Sequence, residues 1–294
     1  MKDALILFDD YYYEYGIRSN QSDKFDILPA LKYNIKSIPL RTIRKVHMCS
    51  SLPFKSIWIT NELDHPFNYK TIILGDTGNV FNLVHYIRSR GYQDRIIVWY
   101  RNTYMSSVQV TAKSKSECEI WTFDKRDSEK YKFKYNPQFL LVDPRYEDLP
   151  ITQDAYFIGN DKGRKNGLME LKKKLDRANI SNSINIVGYN SKPISYEQVL
   201  KQIGQSRCII DYQCDFQDGI TLRPLEALCY HKKLITNNKD IIYSDYYSPN
   251  NIFVIGHDDY KRIHDFIYSP LDEIPKRIID GYGIKAWLER FTKY

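Results

Sequence analysis

The sequence predicts an α/β protein of two doubly wound, parallel-sheet domains, and three observations carry that expectation. Short apolar runs of strand length alternate with segments of helical periodicity along most of the chain. The alternation occurs twice, on either side of a polar, proline-bounded segment at 143–150. The chain has 294 residues, enough for two domains with full cores.

In the first half, Leu5-Ile6-Leu7-Phe8 reads as a buried strand closing on Asp9-Asp10, with a tyrosine-rich turn at 11–16 and loop-like sequence to about Ala30. Ile57-Trp58-Ile59 and Thr71-Ile72-Ile73-Leu74 are the next strand candidates, the second ending at Gly75-Asp76-Thr77-Gly78. Val80, Leu83, Val84 and Ile87 then recur at helical spacing, and Arg88, Arg90 and Gly91 supply the cations and glycine stop of a helix end. Arg95-Ile96-Ile97-Val98-Trp99-Tyr100 returns as a strand, which completes a βαβ unit and hence a parallel pair. Ile120-Trp121-Thr122-Phe123 is a short strand, and the basic, aromatic stretch 124–135 reads as a solvated loop or an acceptor-side surface.

The second half repeats the pattern. Ala155-Tyr156-Phe157-Ile158-Gly159 is a strand, Leu168, Leu171 and Leu175 mark a helix, and Ile184-Asn185-Ile186-Val187 is a strand. Ser195 and Gln198 form a capping box ahead of Val199, Leu200 and Ile203. Strands at 207–212, 234–235 and 252–255 follow, and the amphipathic end at 275–294 carries Ile278, Ile279, Trp287, Leu288 and Phe291.

Composition narrows the function classes. With 43% hydrophobic and 27% charged residues the chain is globular rather than disordered. Its net charge of +7 suits anionic ligands, nucleic acid or an anionic membrane face, but the charges are spread over both halves, against a dedicated nucleic-acid arm. The 25 Tyr offer stacking surfaces for sugars or bases, although most of them belong to core and rim. Five cysteines without a Cys-x-x-Cys pair argue for reduced thiols and a cytoplasmic setting rather than a zinc or disulfide framework. The apolar run at 4–8 is too short for a signal peptide, and no stretch has the length of a membrane span.

The most informative segment is Asp218-Gly219-Ile220-Thr221-Leu222-Arg223-Pro224-Leu225-Glu226. Asp218-Gly219 is turn chemistry after a strand, and Pro224 suits the first position of a helix running to about Lys232. A helix start at the carboxyl edge of a strand offers free N–H groups and a positive dipole end to a phosphate. Glu226, just inside that helix, suits the vicinal hydroxyls of a ribose. The bland alternative is a surface helix with a proline start and an exposed acid.

These nine residues resemble the donor-site segment of GT-B glycosyltransferases, a Glu-Gly-Phe-Gly-Leu-Pro-Pro-Leu-Glu type stretch with acids eight positions apart, as Asp218 and Glu226 are. The sequence departs from it at Asp218, Thr221 and Arg223. The resemblance implies two Rossmann-like domains facing across a cleft, at 1–150 and 151–275, with a C-terminal helix at 276–294 crossing back to the first. It gives Glu226 the nucleotide ribose, Asp218 a hydroxyl of the donor sugar, and the Thr221 and Leu222 backbone the phosphates. Arg223 is expected at a donor carboxylate, phosphate or base.

Lys162 and Arg164, in the Gly159-Asn160-Asp161-Lys162-Gly163-Arg164 loop, could neutralise the leaving diphosphate, or form a solvated basic turn. The loop lacks the Gly-Lys-Ser/Thr ending of an NTPase phosphate loop. Asp10 and Asp76, each just after a strand, are the candidate bases for an acceptor hydroxyl, or simply turn and cap acids; Glu14, His47 and His65 are reserves. The chain contains no Asp-x-Asp, the usual route to a donor-binding metal, so transfer without a metal or other cofactor is the expectation. The whole chain is more distantly similar to small bacterial capsule and lipopolysaccharide-core transferases, which implies a saccharide acceptor, possible lipid linkage and peripheral contact with the inner membrane face. The rival readings are a nucleotide-sugar epimerase of the same fold, a catalytically silent partner subunit, and a sugar- or nucleic-acid-binding module.

Overall fold

The computed structural model describes residues 1–8, 22–32, 35, 37–188, 194–214 and 221–292. It divides into two compact units, Met1–Pro137 and Gln138–Tyr294. The sequence placed the change of domain slightly later, in the 143–150 segment.

The first unit is a six-stranded parallel sheet in the order β2-β1-β3-β4-β5-β6. Its strands are β1 (Lys2–Phe8), β2 (Phe25–Pro29), β3 (Tyr69–Gly75), β4 (Arg95–Tyr100), β5 (Glu119–Thr122) and β6 (Lys134–Tyr135). Strands β1, β3 and β4 are apolar on both faces because helices cover a parallel sheet from two sides. Helix α1 spans Ile38–Cys49, α2 Val80–Ser89, α3 Ala112–Glu117 and α4 Lys125–Tyr131. Val80, Leu83, Val84 and Ile87 of α2 are buried on the sheet, as their spacing requires. Arg88 closes that helix by donating to the carbonyls of Tyr92, Asp94 and Glu117.

Three expectations for this half are corrected. The loop-like stretch before Ala30 contains β2, where Phe25 and Ile27 point into the core. Its interrupting Asp26 accepts from Lys2 Nζ at 2.6 Å and Tyr69 Oη at 2.7 Å, so a charge that looks like loop chemistry belongs to a strand. The Ile57-Trp58-Ile59 candidate is not a strand: Ile57 ends a 3-10 turn at Lys55–Ile57, and Ile59 makes an isolated bridge to Leu31. The 124–135 stretch is α4 and β6, with Asp124 capping α4 through the Asp127 N–H at 3.0 Å. Helix α1 lies in sequence to which no element was assigned. The tyrosine-rich turn at 11–16 lies outside the described residues.

The second unit is a five-stranded parallel sheet in the order β11-β10-β9-β7-β8. Its strands are β7 (Gln153–Asn160), β8 (Asn182–Val187), β9 (Ser206–Asp211), β10 (Lys233–Thr236) and β11 (Ile252–Val254). Helix α5 is Lys165–Arg177, α6 Tyr196–Gly204, α7 Leu222–Cys229, α8 Ile263–Tyr268, α9 Lys276–Gly281 and α10 Ile284–Thr292. The expected capping box is present at Ser195 and Gln198. Helix α7 begins at Leu222, so Pro224 is its third residue rather than its first; a first-turn N–H has no intrahelical acceptor, and proline costs nothing there either. The C-terminal segment falls within this unit. Trp287 lies against Phe139 with ring centroids 4.4 Å apart, and the Leu140 N–H donates to the Tyr282 carbonyl at 2.9 Å. Among the described residues no helix is long and apolar enough to cross a membrane.

Candidate donor site in the second unit

Strand order locates the site before any side chain does. From β7 the sheet grows to β8 on one side and through β9 to β10 and β11 on the other, so β7 and β9 flank the point where the winding reverses. Loops leaving the carboxyl ends of such a pair diverge and open a ligand crevice. The loop after β7 carries Lys162 and Arg164; the segment after β9 leads into α7 with Thr221, Leu222, Arg223 and Glu226. Asp218 and Gly219 belong to the same segment but lie outside the described residues.

Arg164 ties the two loops together. Its guanidinium donates to the Asn160 carbonyl at 2.9 Å and the Tyr212 carbonyl at 2.6 Å, and stands 5.0 Å over the Phe157 ring. Two glycines make room for this arrangement. A Cβ on Gly159 would stand 2.4 Å from Arg164 Nη2, and one on Gly167, in α5, would stand 2.0 Å from the Tyr212 hydroxyl. Burial lowers the pKa of Arg164, against the pull of Cys214 and Asp211. Lys162, at the tip of the loop, is exposed.

Asp211, the last residue of β9, is a buried carboxylate that holds the start of α7. It accepts from Thr221 Oγ1 at 3.0 Å, Thr236 Oγ1 at 3.1 Å and Gln213 Nε2 at 3.2 Å. Burial raises its pKa, offset in part by those three donors and by the charge of Arg223. Because the Thr221 hydroxyl is engaged with Asp211, it makes no capping hydrogen bond to α7, whose first N–H groups carry the positive end of the helix dipole.

Glu226 is fully buried and fully engaged. Tyr196 at the start of α6 donates its hydroxyl to Oε1, and Arg223 donates to Oε2 in a short ion pair. Arg223 also reaches the Ile158 carbonyl at the end of β7, at 3.3 Å. Burial works against the Arg223 charge, but Glu226 and the hydroxyls of Tyr196 and Tyr156 outweigh it and raise its pKa. The loops that follow β7, β8 and β9 thus converge through Arg164, Tyr196, Arg223 and Glu226.

The first unit has the same kind of reversal at β1 and β3, and the two candidate bases follow those strands. Asp10 and the reserve Glu14 lie outside the described residues. Asp76 is enclosed: Oδ2 accepts from Ser107 Oγ at 2.8 Å and from the Asn102 side chain and backbone at 3.2 and 3.3 Å, while Oδ1 faces Arg101 Nε at 3.4 Å. Burial raises its pKa, offset in part by Ser107, Arg101 and Asn102. Of the reserves, His47 is engaged with Trp58 and Pro53.

Sequence reasoning did not single out Asp211, Tyr196 or Arg101. Asp211 had a signal, an acid closing an otherwise apolar strand, and Tyr196 follows the capping-box serine directly. Among the described residues no group of three or more His, Cys, Asp or Glu side chains could hold a metal ion.

No protein-family model matches the sequence, and no curated protein matches it. Solved structures do match. Sucrose-phosphate synthase from Thermosynechococcus elongatus aligns with a TM-score of 0.51 at 7% identity, over 99% of this chain and 98% of that one. The lipopolysaccharide outer core galactosyltransferase WaaB aligns at 0.48 and 12% identity, over 100% and 98%. An α-glucosyltransferase solved with UDP and a 13-mer DNA containing an HMU base aligns at 0.43 and 10%, over 100% and 94%. The fold is therefore the GT-B fold, with two Rossmann-like domains in one chain.

Proposed function

We propose that this chain is a glycosyltransferase that takes a sugar from a nucleotide diphosphate donor bound in the second unit and passes it to a saccharide acceptor without a metal ion. The observation that carries the proposal is the convergence, at the reversal of the second sheet, of a helix start that Thr221 leaves without a side-chain cap, two cation-bearing segments and the buried Glu226. In this reading the N–H groups at the start of α7, with Lys162 and Arg164, face the diphosphate as it gains charge on leaving. Glu226 receives the ribose hydroxyls, which take the place of the Tyr196 hydroxyl at Oε1, one neutral O–H donor exchanged for another. Arg223 holds the Glu226 carboxylate in position throughout. The enclosure of Asp76 leaves Asp10 the acceptor base of choice. Hexosyl transfer, an acceptor from capsule or lipopolysaccharide assembly and its lipid linkage rest on the sequence resemblance, and a cytoplasmic location on the cysteine usage.

A thermal-shift panel of UDP, dTDP, GDP, CDP and CMP, with EDTA present, tests the proposal. One nucleotide is expected to stabilise the chain selectively, and Glu226→Gln to abolish the shift. Tyr196→Phe is expected to retain or strengthen it, because a competing donor has been removed. No shift with any nucleotide overturns the donor assignment. A shift accompanied by donor epimerisation, with no transfer to any saccharide, turns the assignment to an epimerase.

A further inference from the structure

Helix α1 is built the wrong way round for a helix facing water. Met48 is its buried contact, whereas Ile38, Ile43 and Val46 are exposed at 74%, 57% and 63%. Pro39, Ile43 and Val46 recur at i, i+4 and i+7, which places them on one stripe, with Arg41 and Lys45 exposed beside it. The loop that follows adds Leu52 and Phe54, also exposed.

That loop is held against the helix rather than trailing from it. Trp58 Nε1 can only donate, so its 2.9 Å contact fixes His47 Nδ1 as an acceptor and leaves Nε2–H to donate to the Pro53 carbonyl at 2.8 Å. One imidazole on α1 thereby pins both ends of the turn that presents Phe54. Charge completes the pattern. Residues 27–61 contain Lys32, Lys36, Arg41, Arg44, Lys45 and Lys55, and no Asp or Glu.

We propose that α1 and the loop after it form a docking surface for an anionic phospholipid bilayer. Exposed aliphatic and aromatic side chains enter the acyl boundary while flanking cations meet lipid phosphates, the arrangement of an interfacial amphipathic helix. A nucleic acid satisfies the cations but leaves Ile43, Val46 and Phe54 in water. A second copy of the chain, docked stripe to stripe, sets Arg41 and Lys45 against their own counterparts. The proposal does not depend on sugar transfer.

The test is sedimentation of the full chain with vesicles of phosphatidylcholine alone or with about one third phosphatidylglycerol. Pelleting is expected with the anionic vesicles only, weakened by high salt. Lys45→Ala is expected to lower the partition coefficient about fivefold, the contribution of one cation near an anionic surface. The double variant Ile43→Asp/Val46→Asp is expected to lose pelleting while keeping the parent Tm, since both side chains are exposed. No pelleting of the parent with anionic vesicles, or equal pelleting of the folded double variant, overturns the proposal. So does salt-steep binding of duplex DNA or RNA without vesicle binding, and so does a dimer that the double variant dissociates without vesicle binding.

Discussion

Glu226 and Arg223 share one buried ion pair, and removing the acid leaves a guanidinium largely out of water with its partner gone. Glu226→Ala is therefore expected to cost about 3 kcal/mol of folding stability in urea titration, and a compensating Arg223→Met to recover most of it. Gly167 makes a second prediction at this scale. An added methyl lands on the Tyr212 hydroxyl and ring, so Gly167→Ala is expected to cost about 1–3 kcal/mol, and less in a Tyr212→Ala background. The eight-residue spacing of Asp218 and Glu226 is a local pattern and was legible in the sequence. The burial of Glu226 and its pairing with Tyr196 were not, because Tyr196 is 30 residues away along the chain and meets it only when α6 packs beside α7.

Glu119 shows what a single element gains from its neighbours. It stands at the start of β5 and accepts from Arg95 on β4, Lys134 on β6 and the Trp121 indole, fastening three strands at one edge of the sheet. Burial opposes its charge, but those donors outweigh it and bring its pKa from 4.5 down to about 2. A carboxyl depressed in the folded state stabilises the fold above its unfolded pKa and loses that contribution as pH falls through the folded value. Glu119→Gln is therefore expected to lower stability by about 1 kcal/mol at neutral pH, with the gap closing between pH 4.5 and about 2 in chemical denaturation. Elements with clean periodicity, such as β3, α2, β4, β7 and α5, were legible for the reason that makes them stable: one buried face or two. Strand β2 was hidden by Asp26, whose charge is answered by Lys2 and Tyr69 from two other strands. Helix α1 was not assigned although Pro39, Ile43 and Val46 recur at helical spacing; what the sequence could not show is that this stripe faces outward.

At the scale of the whole molecule the proposed activity separates binding from turnover. A cognate nucleotide at about 100 times its Kd is expected to add about 2.7 kcal/mol of stability, read as a Tm rise of a few degrees. Asp10→Asn is expected to keep that rise and lower transfer about 10²- to 10⁴-fold, whereas Asp76→Asn is expected to lower Tm because it disturbs the Ser107, Asn102 and Arg101 contacts. Loss of nucleotide binding in Asp10→Asn would remove it from the acceptor side. By itself the sequence determined the fold class, the double α/β alternation and the turn-to-helix motif at 218–226, because strand length, helical period and turn chemistry are written within a dozen residues. Only the tertiary structure decided that the units part between Pro137 and Gln138, that Asp211 anchors α7, that Glu226 is a buried ion-pair acid, and that α1 shows an apolar stripe to solvent. Each of these depends on which distant residue fills the space beside a side chain, and that is fixed by the order in which parallel strands assemble.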